Sequence, residues 1–368
     1  MRFTVNTKPL SAALNLGVIN ANISNYHSKS TIIQVTATKD TLKINVEAEL
    51  IRTELTLKGS GDEDGPVSIF VGSALFKQLI STLETSTVTL EYVEGGLTVH
   101  SGSSKFTVPK MFDAEELQLE SPVSADGVTF TKVNKDGWNF IKDRQMFALA
   151  MSFVYPVYTR VWIGEAGDAL ACDFGSSLFT HSKKGGLSTS CLVSDTIVNL
   201  FTSLPDNAEI AQVGRDYIVV ANSDSFKYVT QFTPLLETDP GLGDYQAPLF
   251  ISMMQHLDNA VKVKASVLSK YLSQAELLCS ASEATINLHI DEKSLILKDN
   301  NVNCKVDINC PGVTPVDLEF KADRIRKLMS NFGEADICIA GYVPESATEA
   351  AGIVVWDNDL TALLAGVD

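Results

Sequence analysis

Residues 31–48 read TIIQVTATKDTLKINVEA, two runs of alternating apolar and polar residues (Thr31 to Thr38 and Thr41 to Ala48) with Lys39-Asp40 between them. Period-two alternation broken by a short polar pair is the pattern of an antiparallel hairpin with one buried face. Upstream, residues 2–5 read as a short strand, and a helix follows from a Thr7 cap, with Pro9 tolerable in the first turn. Its apolar positions Leu10, Ala13, Leu14, Gly17, Val18 and Ala21 recur at helical spacing and form one stripe. Downstream, Leu50 to Leu57 extends the strand run. The plan is β-α-β-β-β.

That plan repeats along the chain. After a Gly/Asp-rich break from Gly59 to Pro66 come a strand at Val67 to Val71 and a Ser73-capped helix carrying Phe76, Leu79, Ile80 and Leu83. Strands at Val88 to Val93, Leu97 to His100 and Lys105 to Val108 complete the unit. The acidic stretch Phe112 to Gly127 has linker composition. A second copy follows, with a strand at Val128 to Lys132, a helix near Gly137 to Ser152, and strands at Tyr158 to Gly164 and Ala169 to Phe174. Its second half has a strand at Leu187 to Val193, a Ser194-capped helix, and strands at Ala208 to Val213 and Tyr217 to Ala221. Pro234 to Pro248 reads as a second linker. The third copy runs through a strand at Ala260 to Ala265, a Ser266-capped helix ending at Cys279, and strands at Thr285 to Ile290, Leu295 to Lys298 and Val302 to Ile308. It ends with a strand at Pro315 to Phe320, a helix carrying Ile325, Leu328, Met329 and Phe332, and strands at Ala335 to Ala340, Ile353 to Trp356 and Leu360 to Leu364.

Helix starts at Ser73, Ser194 and Asp323, and turns at Asp40, Asp168 and Asp291, recur once per copy. So long a period marks duplicated domains, since solenoid repeats run roughly 20 to 50 residues. The expectation is an α+β chain of three tandem domains, 1–120, 121–245 and 246–368, each of two β-α-β-β-β halves.

Composition narrows the function. Hydrophobic residues make up 45% and charged residues 20% of the 368, ordinary values for a soluble globular chain. No run approaches a membrane span and the N-terminus has no apolar signal core, so a cytoplasmic location is expected. Cys172, Cys191, Cys279, Cys304, Cys310 and Cys338 stand singly, without the close pairing that metal or redox sites use, and read as buried small hydrophobes. His27, His100, His181, His256 and His289 fall at unrelated places in the repeats and form no ligand set. Gly175 to Ser177 and Lys183-Lys184-Gly185-Gly186 lack phosphate-loop spacing and read as turns. Asp62-Glu63-Asp64 and the carboxylates between Asp113 and Glu120 lie in a loop and a linker, not in a pocket that would set up acid–base work. The sequence points to no catalytic residue, metal or cofactor. The formal charge of −16 argues against a generic basic nucleic-acid binder. The six expected helices are nevertheless net positive, chiefly through Lys321, Arg324, Arg326 and Lys327, so the acidity lies outside them.

Three tandem domains with basic helices and an acidic remainder resemble the bacterial-type DNA polymerase sliding clamp, the β subunit of the polymerase. The resemblance covers the whole chain. It is carried by MRFTV before the first helix, TLKINVEAELIRTEL, VSIFVGSALFKQLI, LTVHSGSSKFTVP, and ACDFGSSLF in the second domain. It implies the DNA-clamp fold: a head-to-tail homodimer closing a ring, helices lining the hole and sheets outside. Such a ring is a topological tether, which accounts for the absence of catalytic residues from the sequence. On this resemblance the residues facing double-stranded DNA, read without sequence preference, are Lys8, Lys77, Lys142, Arg144, Lys270, Lys321, Arg324, Arg326 and Lys327. His27 and Lys29 match a DNA-touching loop. The implied partners are a DNA polymerase and a clamp-loader ATPase, bound through peptides in an apolar groove. Carried over by position, that groove uses Tyr158, Cys172, Gly175, Leu178, Pro248, Leu249, Leu363 and Leu364.

The sequence departs from the family at that groove. Cys172-Asp173-Phe174-Gly175 carries one residue more than the usual pattern, and Ala362-Leu363-Leu364-Ala365-Gly366 lacks the family's Met/Pro tail, a divergence that would suit a phage-encoded clamp. The dimer would join an edge near Phe106 to the strands after Leu295. A structural or virion assembly protein of duplicated α/β domains, an enzyme, and a clamp that couples transcription to DNA are the other readings. The sequence does not separate replication from transcription.

Overall fold

The computed structural model describes residues 1–16, 32–48, 50–111, 119–149, 159–173, 178–236, 239, 247–254, 258–278, 285–298, 303–343 and 351–367. They form two compact units, residues 1–136 with 196–235 and residues 137–195 with 236–368. Seven α-helices are described: α1 (Thr7–Leu14), α2 (Ser73–Ser81), α3 (Lys135–Arg144), α4 (Asp195–Ser203), α5 (Ala247–Met253), α6 (Ala265–Leu278) and α7 (Ala322–Phe332). The loop from Asn25 to Ser30 and stripe residues Gly17, Val18 and Ala21 lie outside the described residues.

The first unit holds two antiparallel sheets. The hairpin read from residues 31–48 forms as Ile32–Ala37 against Thr41–Ala48, with Val35 opposite Ile44 and Ile33 opposite Val46, all four buried. Ile51–Lys58 pairs with Thr41–Ala48 on one side and with Phe226–Phe232 on the other. The second pairing extends the sheet through Asp216–Asn222 and Glu209–Val213 to Thr131–Lys132, for eight strands in all. At this join the fully buried hydroxyls of Thr53 and Thr230 hydrogen-bond to each other at 2.8 Å. The other sheet has five strands: Ser60–Gly61, Arg2–Asn6, Thr87–Val93, Gly96–Ser101 and, at its free edge, Ser104–Pro109. Helices α1 and α2 pack against each other, α1 burying Leu10, Ala13 and Leu14 and α2 burying Phe76 and Ile80. The linker residues that are described lie on the larger sheet, where Glu120 pairs with Arg52 and the Val123 amide donates to Gln231.

The second unit repeats this scheme. A nine-stranded sheet contains Val161–Ile163, Ala169–Asp173 and Leu178–Ser182, the last pairing with Leu360–Ala365 and so bringing in Gly352–Trp356, Asp336–Tyr342 and Val261–Lys264. A four-stranded sheet of Asn303–Asp307, Ser294–Lys298, Thr285–Ile290 and Val316–Lys321 has Asn303–Asp307 at one free edge. Helices α6 and α7 pack side by side, with Ser269 and Ser330 hydrogen-bonded at 3.2 Å. Buried Gln145, just after α3, donates to the carbonyls of Ala169 and Thr180 and accepts from Ser182 at 2.7 Å, tying the helix end to the sheet.

Several expectations need correction. Thr7 and Ser73 are not caps but the first residues of their helices, whose capping positions, Asn6 and Gly72, make no side-chain bond. Ser266 and Asp323 likewise lie inside the first turns of α6 and α7. In α1, α2 and α7 an extended residue passes directly from strand to helix, and at α2 and α7 that residue, Gly72 or Lys321, has no side-chain acceptor with which to cap. The helix expected at Gly137 to Ser152 begins at Lys135 and ends at Arg144, followed by a 3₁₀ turn at Met146–Ala148; residues 150–152 lie outside the described residues. The strands at Val128 to Lys132 and Leu187 to Val193 shrink to Thr131–Lys132 and Cys191–Val193. Pro234 to Pro248 is not all linker, since it contains the short strand Leu235–Leu236 and the start of α5. Strands Leu178–Ser182 and Phe226–Phe232 have no counterpart in the sequence reading.

Candidate nucleic-acid interface

Helix α7 has its buried side set by Ala322, Ile325, Leu328, Met329 and Phe332, and the strand before it ends at Lys321. Lys321, Arg324 and Lys327 recur every third residue away from that stripe. Lys321 and Lys327 are exposed and Arg324 half-buried. No carboxylate among the described residues lies within ion-pair distance of these three. The Lys327 ammonium lies 5.9 Å from the centre of the Phe147 ring. Arg326 is half-buried on the same helix, and Lys270 is exposed on α6.

In the other unit, Lys8 is exposed on α1 and Lys77 half-buried on α2, where burial lowers its pKa. Lys142, in the same unit as α6 and α7, is exposed near the end of α3. His27 and Lys29 lie outside the described residues.

Arg144 has a different setting. Its Nη2 pairs with Asp357 at 2.9 Å, and its guanidinium lies 5.5 Å from the Phe140 ring centre and 5.7 Å from that of Phe332. Lys184 pairs with Asp359 at 2.8 Å and stands 5.2 Å from the Phe140 ring centre. Two cations from different segments thus flank one aromatic ring and end on the two carboxylates of a single hairpin turn, 357–359. Sequence reading treated Lys183 and Lys184 as turn residues and passed over Phe140, Asp357 and Asp359. No local pattern marks them, because the ion-pair partners lie far apart in the chain, 213 residues for Arg144 and Asp357.

The groove candidates divide between two faces. Cys172 stands opposite Phe179, which stands opposite Leu363, and because side chains alternate along strands these three share one face of the nine-stranded sheet. Leu178 and Leu364 are paired with each other on the opposite face, shared with Ser182, which bonds Gln145. All four candidates in these strands are buried. On the first face Phe250 of α5 packs on Phe179 with ring centres 4.9 Å apart, while the neighbouring Leu249 is 47% exposed. Tyr158 and Gly175 lie outside the described residues, as does the side chain of Pro248.

No helix among the described residues is long and apolar enough to cross a membrane, and no group of three potential metal ligands is found among them. No family model matches the sequence. No curated protein matches it either. Solved structures do. A putative DNA polymerase III beta subunit from Eubacterium rectale superposes with a TM-score of 0.77 at 14% identity, covering 100% of both chains. The DNA polymerase sliding clamp of Bacillus subtilis gives 0.73 at 16% identity, covering 100% of this chain and 99% of that one. The Helicobacter pylori beta clamp, solved bound to a DNA ligase peptide, gives 0.68 at 13% identity over 100% of both. The chain therefore has the fold of a DNA polymerase sliding clamp along its full length. Within that class the likeness is to bacterial DNA polymerase III beta subunits.

Proposed function

We propose that this protein is a DNA sliding clamp, a non-catalytic processivity factor that closes as a homodimeric ring around double-stranded DNA and tethers a DNA polymerase. The observation that carries the reading is full-length superposition on bacterial clamps by a chain with a row of cations, Lys321, Arg324 and Lys327, at the start of one helix. Diffuse, sequence-independent attraction to phosphates suits sliding, because a weak positive field holds a duplex without fixing its register.

This reading keeps three domains, 1–120, 121–245 and 246–368. Each sheet join pairs a strand of the middle block with one of an outer block, which is why the two compact units cut the middle block in half. Two free edges, Ser104–Pro109 with Phe106 40% exposed and Asn303–Asp307, offer the unpaired backbone through which a second copy would join head to tail. Exposed Leu249 beside the Phe250–Phe179 stack is the anchor point for a partner peptide from the polymerase or a clamp-loader ATPase. A cytoplasmic location follows from this role. The test is primer extension by the cognate replicative polymerase with a clamp-loader ATPase. Product length should rise severalfold when the protein is added, and unchanged length overturns the reading.

A further inference from the structure

We infer that the grip on DNA is unequal within each chain: the ridge Lys321–Arg324–Lys327 at the start of α7, with Lys270 of the adjoining α6, supplies most of it, and the helices of the first unit very little. This rests on the clamp reading and deepens it.

The contrast lies in what each helix presents. Lys321, at the end of the strand leading into α7, and Arg324 and Lys327 on α7 are spaced three residues apart clear of the buried stripe without an ion-pair partner among the described residues, and only Asp323 on that helix opposes them. On α1 the single cation is Lys8; on α2 it is Lys77, half-buried; α4 carries Asp195 and no cation. Among the cations of the first unit's sheets, Arg2 pairs with Glu91, Lys43 with Glu54, and Arg52 with Glu47 and Glu120, while Lys58, Lys132 and Lys227 are exposed on strands, not on helices. Arg144, which by sequence belongs with the DNA-facing group, is tied to Asp357 and two aromatic rings. A phosphate approaching it competes with a carboxylate already in place, whereas one approaching Lys321, Arg324 or Lys327 displaces only water and counterions.

The experiment traps the full-length protein on nicked circular DNA with a loader ATPase, cuts the circles once, and times escape across about 50 to 200 mM salt. Removing phosphate contacts should speed escape and flatten its salt dependence, because fewer counterions are released on contact. A Lys321→Ala/Arg324→Ala/Lys327→Ala variant should escape severalfold faster at low salt with a flattened slope. Lys8→Ala/Lys77→Ala should match wild type, and the charge-conserving Lys321→Arg/Lys327→Arg should keep the wild-type slope. Equal acceleration by the two alanine variants, or a larger effect from Lys8→Ala/Lys77→Ala, overturns the inference while leaving the clamp reading intact. Failure of the wild type to be trapped at all overturns the clamp reading itself.

Discussion

At the scale of residues, the Arg144–Asp357 ion pair of the second unit makes the sharpest test of packing. The Arg144 side chain is 28% exposed and that of Asp357 11%, so deleting one partner leaves a poorly solvated charge behind. Arg144→Ala should cost about 3 kcal/mol, the order seen when one member of a buried pair is removed, and thermal unfolding should show it. A smaller loss is expected for Lys184→Ala, because Asp359 is 53% exposed. The buried hydroxyl pair at the first sheet join predicts an asymmetry. Thr230 also donates to the Arg52 carbonyl, whereas among the described residues the only partner of the Thr53 hydroxyl is Thr230. Thr230→Val therefore strands a buried hydroxyl, at about 1–3 kcal/mol, and Thr53→Val strands none and should cost under about 1 kcal/mol. Denaturant titration of the two variants gives the comparison.

Acid sensitivity also has a residue-level origin. Hydrogen bonds from Arg2 and His100 hold the Glu91 carboxyl at a pKa of about 2, against an ordinary 4.5. A depressed carboxylate contributes stability that is fully present above its unfolded pKa and is lost as pH falls through the folded one. That contribution should fade between about pH 4.5 and 2. Glu91→Gln should be less stable than wild type at pH 7 and show a shallower loss in that window, read from melting temperature against pH. Asp168 shifts the same way. Partial burial pushes its pKa up, but hydrogen bonds from Lys183 and His181 outweigh that and hold it below the usual carboxylate range.

At the scale of elements, what the sequence hid was the joinery. The hairpin at residues 31–48 and the apolar faces of α1, α2 and α7 were legible because one face of each is buried and the other wet. Strands Leu178–Ser182 and Phe226–Phe232 were not, and these two make the joins between repeats. In FKYVTQF, Tyr228, Thr230, Gln231 and Phe232 are all buried, and in LFTHS only His181 is not, so the period-two contrast is lost. Gly175 to Ser177 and Lys183 to Gly186 on either side also gave the second strand the composition of a loop. The candidate site was legible in part. The α7 cations stood out as a charge cluster on one expected helix, but Arg144 carried the same signal while its partner lay far along the chain. Sequence spacing shows charge and not its neutralisation.

At the scale of the whole molecule, Ser104–Pro109 and Asn303–Asp307 are both edge strands of their sheets. A homodimer that pairs them head to tail uses both, and sedimentation should give the mass of two 39.8 kDa chains. The ring itself is a topological claim, and topology has its own measurement. Protein loaded on nicked circular DNA by a clamp-loader ATPase should stay bound through gel filtration and be lost once the circle is cut. Equal retention on circular and linearised DNA, or none on either, would contradict the account.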